Sequence, residues 1–162
     1  MSKNMPTYEL EKTVWTENDF SVMGWHDSKI WGFLPETEEF QFMLDLDYIF
    51  RWVHPKGKSK YFKFWVSPVT MVFENSYDII LDIESSQGEI EVSELKMENF
   101  RKAPNGLVDV YDFIFECNEG EIKLSSSGFK LYVRSAPVLQ NSQHLEYKAR
   151  GGINFAREFK YS

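Results

Sequence analysis

Cysteine is almost missing from this chain: among 162 residues there is one, Cys117, at the end of the apolar run YDFIFEC. A disulfide framework needs pairs, so a cross-linked secreted scaffold is excluded and a reducing compartment fits better. A lone cysteine at the end of a strand reads as a small buried hydrophobe. Long apolar runs are missing too. None approaches the roughly 18 residues of a membrane span, and no basic-then-apolar opening marks a signal peptide. The expected setting is the cytoplasm, with no membrane partner. Positive charge is scarce: 18 Lys and Arg stand against 25 Asp and Glu, a formal charge of -7 with a pI of about 5.0. Such a chain repels a phosphate backbone unless it carries a local basic patch. The densest candidate, HPKGKSK at 54–60, sets Pro and Gly between two apolar runs without interleaved aromatics. It reads as a solvated hairpin loop, and no nucleic-acid partner is expected. The RGG at 150–152 occurs once, so it is no low-complexity RNA-binding tract. No HExxH, CxxC, GxSxG, GxxxxGK[ST] or GxGxxG is present, and no cofactor is expected.

What the chain has in abundance is aromatic rings: 14 Phe, eight Tyr and five Trp, 17% of the residues. Flat side chains suit the pleated, half-buried surface of strands. At this length one domain over 1–162 is expected, with residues 1–6 as a loose tail and a core large enough to need no disulfide or metal. In EFQFMLDLDYIFRWV (39–53), Phe40, Phe42, Leu44, Leu46, Tyr48, Phe50 and Trp52 share one face of a strand. Gln41, Met43, Asp45, Asp47, Ile49, Arg51 and Val53 take the other. YFKFWV (61–66) and TMVFENSYDIILDI (70–83) follow, the latter broken at Asn75-Ser76. SSQG, APNG, NEG and SSSG then mark turns between further strands. ELKMENFRK (94–102) is helical by composition and is the weakest of these strands; SAPVLQNSQH reads as a loop before a final strand-like LEYKARGGINFAREF. One helix is expected at about 16–23, capped by Thr16, with Glu17 and Asp19 in its first turn, Trp15 and Phe20 as a staple, and Gly24 ending it. Strands recurring at this spacing predict an all-β, mainly antiparallel sandwich or partly open barrel with that single short helix.

Chemistry concentrates in GWHDSKIWGF (24–33) and LDLDYIFRW (44–52). If the two segments pair as a hairpin, His26 or Asp27 approaches Asp45 or Asp47. His26 and Asp27 are then candidate catalytic residues, base and orienter, and His26, Asp45 and Asp47 candidate metal ligands. The opposing reading makes His26 and Asp27 the polar trim of a junction, and Asp45 and Asp47 a wet strand face offset by Arg51. Arg134 and Arg150 form an anion site or, on the simpler reading, a surface ion pair. Trp31 and Trp65 are candidate binding anchors if they fall on the outer face, and an acidic rim there would suit a basic protein partner.

The runs GWHDSKIWGF, LDLDYIFRWV, FWVSPVTMVFEN, SGFKLYVRSAPVL and ARGGINF together resemble a family of small uncharacterised bacterial proteins, over about Trp15 to Phe155. The resemblance implies a bacterial, soluble, single-domain protein and carries over no functional residue. Three functions stay open: a non-catalytic binding protein, an immunity-type protein neutralising a toxin being one version; a metal-binding protein or hydrolase using the His-Asp-Asp set; and a small-ligand carrier with an aromatic-lined barrel pocket.

Overall fold

The computed structural model describes residues 6–161, so most of the expected N-terminal tail lies outside the described residues. Ten strands follow one another: β1 (Val14–Thr16), β2 (Lys29–Glu36), β3 (Gln41–Val53), β4 (Lys63–Glu74), β5 (Tyr77–Ile83), β6 (Ile90–Lys102), β7 (Asp109–Cys117), β8 (Gly120–Ser126), β9 (Gly128–Val133) and β10 (Val138–Gln140). Hydrogen bonding places them in the order β1-β9-β4-β3-β2-β6-β7-β8-β5, with β10 also against β4, and every pairing between strands is antiparallel. The architecture is all-β, an open sheet folded back on itself.

Two features fold it. Contact between β2 and β6 is limited to Lys29 opposite Glu91 and Ile30 opposite Ile90, so the sheet turns sharply there. On the other side, β4 runs into β5 at Asn75-Ser76 while its neighbour β9 continues back into β8 at Ser127. The Asn75 amide donates to Ser127 Oγ (2.9 Å), and Ser126 Oγ and the Ser127 N–H both donate to Glu74 O. Asn75 takes a left-handed φ of 50°, a conformation Asn tolerates and the break in TMVFENSYDII exploits. Two strands thus pass from one layer to the other.

Between the layers the apolar faces meet. Phe42, Leu44, Leu46, Met71, Phe73, Phe129 and Leu131 from one side pack on Val92, Phe113, Phe115, Ile122 and Leu124 from the other. Trp25 stands edge-on to Tyr48, Phe115 and Phe129. Alternation in β3 holds as far as Phe50 and then fails. A bulge between Ile49 and Arg51 shifts its register against β4, and Trp52, expected inside, is 36% exposed. Phe40 likewise leaves the face it was expected to share, because it belongs to the turn before β3 and is 67% exposed.

The expected helix is a single 3-10 segment, Glu17–Val22, with Thr16 as its cap and Asp19 reaching back to the Thr16 N–H at 2.9 Å. Met23 ends it in an extended conformation, so Gly24 is not its terminator. ELKMENFRK is strand, within β6. The C-terminal LEYKARGGINFAREF is not: it crosses the outer face of β2, β3 and β4 as an irregular strap, and β10 forms inside the stretch read as a loop. No helix among the described residues is long and apolar enough to cross a membrane.

Candidate functional site

Asp45 and Asp47 point out of β3, away from the aromatic core, yet neither is exposed at all. The strap covers them, and their partners come from far along the chain. Asp45 Oδ1 accepts from Arg134 Nη2 (2.9 Å) and Arg150 Nη2 (2.5 Å), and its Oδ2 accepts from Arg150 Nη1 and the Asn154 N–H (both 2.8 Å). Asp47 accepts from Arg150 Nε (3.0 Å), the Leu145 N–H (2.8 Å) and the Trp31 indole (2.9 Å). Two carboxylates thus face two guanidiniums. A carboxylate offers about four lone-pair positions, so Asp45 is fully engaged and Asp47 nearly so. The wet-face reading of the aspartates and the surface reading of the arginines are both corrected: the strap takes the place of water, and the offsetting cations are Arg134 and Arg150, while Arg51 is exposed.

The strap's sequence explains its path. Gly151 and Gly152 both have positive φ (81° and 72°), which makes the tight turn after Arg150. Gly32 in β2 leaves room for Ile153 and Phe155, the first of which would lie 3.1 Å from an added Cβ. Arg150 also donates to the Gly152 carbonyl and stacks 4.8 Å over Trp31. Trp31 does fall on the outer face, half-buried as a wall of this cluster, whereas Trp65, at 8% exposure, packs near Tyr8 and is not exposed there.

His26 and Asp27 lie elsewhere. His26 Nδ1 is 3.3 Å from Ser93 O, its ring stacks on Trp52, and its Nε2 is 3.4 Å from Asp27 Oδ1. Asp27 adopts a φ of 66°, donates its N–H to Val92 O and neighbours Glu91. The hydrogen bonds and ion pairs of this pair do not reach Asp45 or Asp47, and among the described residues no three His, Cys, Asp or Glu side chains are grouped to hold a metal ion. Burial, then the adjoining Asp27 and Glu119 carboxylates, push Glu91 above its ordinary value. With the folded value raised, its ionised form opposes folding at neutral pH, and that opposition fades as pH falls toward the unfolded value of about 4.3. Glu91→Gln is expected to gain under about 1 kcal/mol at pH 7 and to lose that gain near pH 4, read from urea midpoints at the two pH values. Burial also pushes the Cys117 thiol up to about 12, which keeps it protonated and unreactive at neutral pH.

A site that the sequence did not single out lies at the corner where β4 becomes β5. A surface cleft of about 440 Å³ opens between the turn before β3, the Asn75-Ser76 corner and the β6–β7 loop, lined on its apolar side by Phe40, Tyr77, Pro104, Leu107 and Val108. Phe40 is 67% and Leu107 82% exposed. Phe40 sits at a φ of 55°, a conformation that costs a bulky residue about 1–2 kcal/mol. The surroundings enforce it: Phe40 O accepts from both the N–H and Oγ of Ser76 (2.8 and 3.0 Å). Asp78 in β5 and Asn99 in β6 also take positive φ, 51° and 57°. The Tyr77 hydroxyl is buried and has no hydrogen-bond partner among the described residues. In the turn that carries Phe40, Glu38 and Glu39 are exposed and form no ion pair among the described residues, whereas the cations Arg101 and Lys102 at the end of β6 are taken by Asp112 and Asp109. Only the aromatic placed directly after Glu38-Glu39 hinted at this in the sequence. No protein-family model matches the chain, and no curated protein matches it.

Proposed function

We propose that this protein works by binding another protein, without catalysis of its own, and that the corner cleft receives an apolar side chain from a basic segment of that partner. One observation carries the reading: a large aromatic, Phe40, is held in an unfavourable backbone conformation and left exposed beside an apolar cleft. Strain of this kind persists only where surrounding structure enforces it, and it clusters at ligand-contacting positions. Exposed Leu107 extends the apolar surface, and Glu38 and Glu39 favour a cationic partner both in encounter and in register. Neutralisation of a basic toxin by an immunity-type protein is one concrete version. A bacterial, cytoplasmic setting belongs to the same reading, supported by the family resemblance and the single protonated thiol. The cleft volume also suits a small apolar ligand, which makes a carrier the second reading; the aromatic interior is filled by rings packed on rings.

Selection of phage-displayed dodecapeptides on the full chain tests this. Enriched peptides are expected to combine a Phe, Leu or Ile with Lys or Arg, to bind more weakly as salt rises, and to lose at least about tenfold in affinity on Phe40→Asn with Leu107→Asp, the loss of one anchoring contact. Asparagine enters the left-handed region readily, so Phe40→Asn alone is expected to keep or raise the melting temperature while binding falls. Enrichment equal on wild type and double variant overturns the proposal. Saturable uptake of an apolar dye with no peptide enriched moves the assignment to a carrier.

A further inference from the structure

The strap that buries Asp45 and Asp47 also walls a second cavity, of about 280 Å³, between the middle of β4, the chain just after β9 and residues 148–160. Four cationic side chains line it, Arg134, Lys148, Arg150 and Lys160, against one carboxylate, Glu158. In a chain of charge -7 this is a local reversal of sign. Among the described residues, Asp45, Asp47 and Glu158 offset three of the four cations, leaving one without a carboxylate.

The two arginines are not equivalent. Arg150 commits Nε, Nη1 and Nη2 to the two aspartates. Arg134 makes one bond to a carboxylate, Nη2 to Asp45, and its Nη1 is spent on neutral oxygens, Thr70 Oγ1 and Asn154 O (both 2.9 Å). It therefore holds only a share of an aspartate already bound twice by Arg150. Consistent with that, burial lowers the pKa of Arg134 despite Asp45, whereas for Arg150 the aspartates outweigh burial and raise it. Arg134 is only 6% exposed, so its guanidinium is fixed in place. Lys160 is brought to the cavity by the backbone: its N–H donates to Arg134 O (2.8 Å) and it bridges Ser135 in parallel. Lys148 and Lys160 are exposed and carry no ion pair among the described residues.

We infer that this cavity binds a small oxyanion of the phosphate class, a free phosphate or the phosphate group of a small metabolite, with Arg134 as the buried anchor and Lys148 and Lys160 closing over it. An ordinary surface ion pair does not describe this arrangement, because a buried planar guanidinium and two exposed ammonium groups make a directional donor set for oxygen anions. Bound anion would also tie the strap to the sheet, so binding is expected to stabilise the fold.

The test is thermal melting of the full chain against inorganic phosphate, glycerol phosphate and succinate, each matched in ionic strength by sodium chloride. At about a hundredfold excess over Kd, phosphate is expected to raise the melting temperature of this chain by about 5–10 °C. Lys148→Gln with Lys160→Gln alters only exposed positions, so the variant is expected to fold and to need at least about tenfold more phosphate for the same shift, the scale of two lost charge-assisted contacts. Glycerol phosphate acting at lower concentration than phosphate identifies a phosphorylated metabolite as the source; the reverse identifies the free ion. A shift no larger than that of sodium chloride, an equal shift in wild type and double variant, or a response to succinate alone overturns the inference. None of these outcomes depends on the corner cleft.

Discussion

Replacing Asp45 with alanine is expected to cost about 3–5 kcal/mol of folding stability, the scale for removing one partner of a buried ion pair. For a chain of this size that is a fall of roughly 6–20 °C in melting temperature. Four hydrogen bonds lose their acceptor at once: two from Arg150, one from Arg134 and one from the Asn154 N–H. Two nearly buried guanidiniums are then left with Asp47 as the one buried carboxylate beside them among the described residues. The strap is expected to lift first, because Asn154 and Leu145 are hydrogen-bonded to these carboxylates. Trypsin should then cut after Lys148 or Arg150 in the variant far faster than in the wild type. The sign of the effect separates two roles. Substituting a polar residue in a working site often stabilises a protein, since such sites are kept at some cost to the fold; substituting the pin of a clamp cannot. In a double-mutant cycle with Arg150→Ala the two losses should fall well short of additive, because the first change already breaks the shared network.

Phe73→Ala is expected to cost about 3–5 kcal/mol by a different route, lost burial and an unfilled cavity. The Phe73 ring lies 5.0 Å from Phe113, 5.9 Å from Phe115 and 5.8 Å from Phe129, so it joins the two layers at their centre. Both layers should therefore weaken together, as one urea transition at lower denaturant with an unchanged slope. Phe33→Ala is the control. Phe33 stacks on Phe42 but is 41% exposed, and its loss is expected to cost less than about half as much.

How far the sequence is readable depends on how local each determinant is. The Thr16 cap, the corner at Asn75-Ser76 and the alternation of β3 up to Phe50 are set by neighbours within a few residues, and each stands in the structure as the pattern implied. The bulge at Ile49–Arg51 leaves no mark in the order of side chains, and it alone turns Trp52 outward. Burial of Asp45 is less local still: its arginines lie 89 and 105 positions further on. A strand with polar residues on one face looks the same whether water or a distant strap will cover it. The strap itself reads as a strand because Ile153 and Phe155 alternate with Asn154, yet Gly151 and Gly152 turn it and its backbone bonds go to side chains of Asp45, Thr70 and Arg134. The cleft escapes for a related reason, being assembled from three separate turns.

The most direct measurement of the central claim is a nitrogen–proton NMR titration of the full chain with the tightest peptide from the selection, mapping which backbone amides move. Shifts are expected to be confined to the corner: Glu38 to Phe40, Asn75 to Tyr77 and the loop from Asn105 to Val108. Shifts centred instead on His26, Asp27 and Trp52, or spread evenly over the sheet, would contradict that claim and return the site to the segment GWHDSKIW.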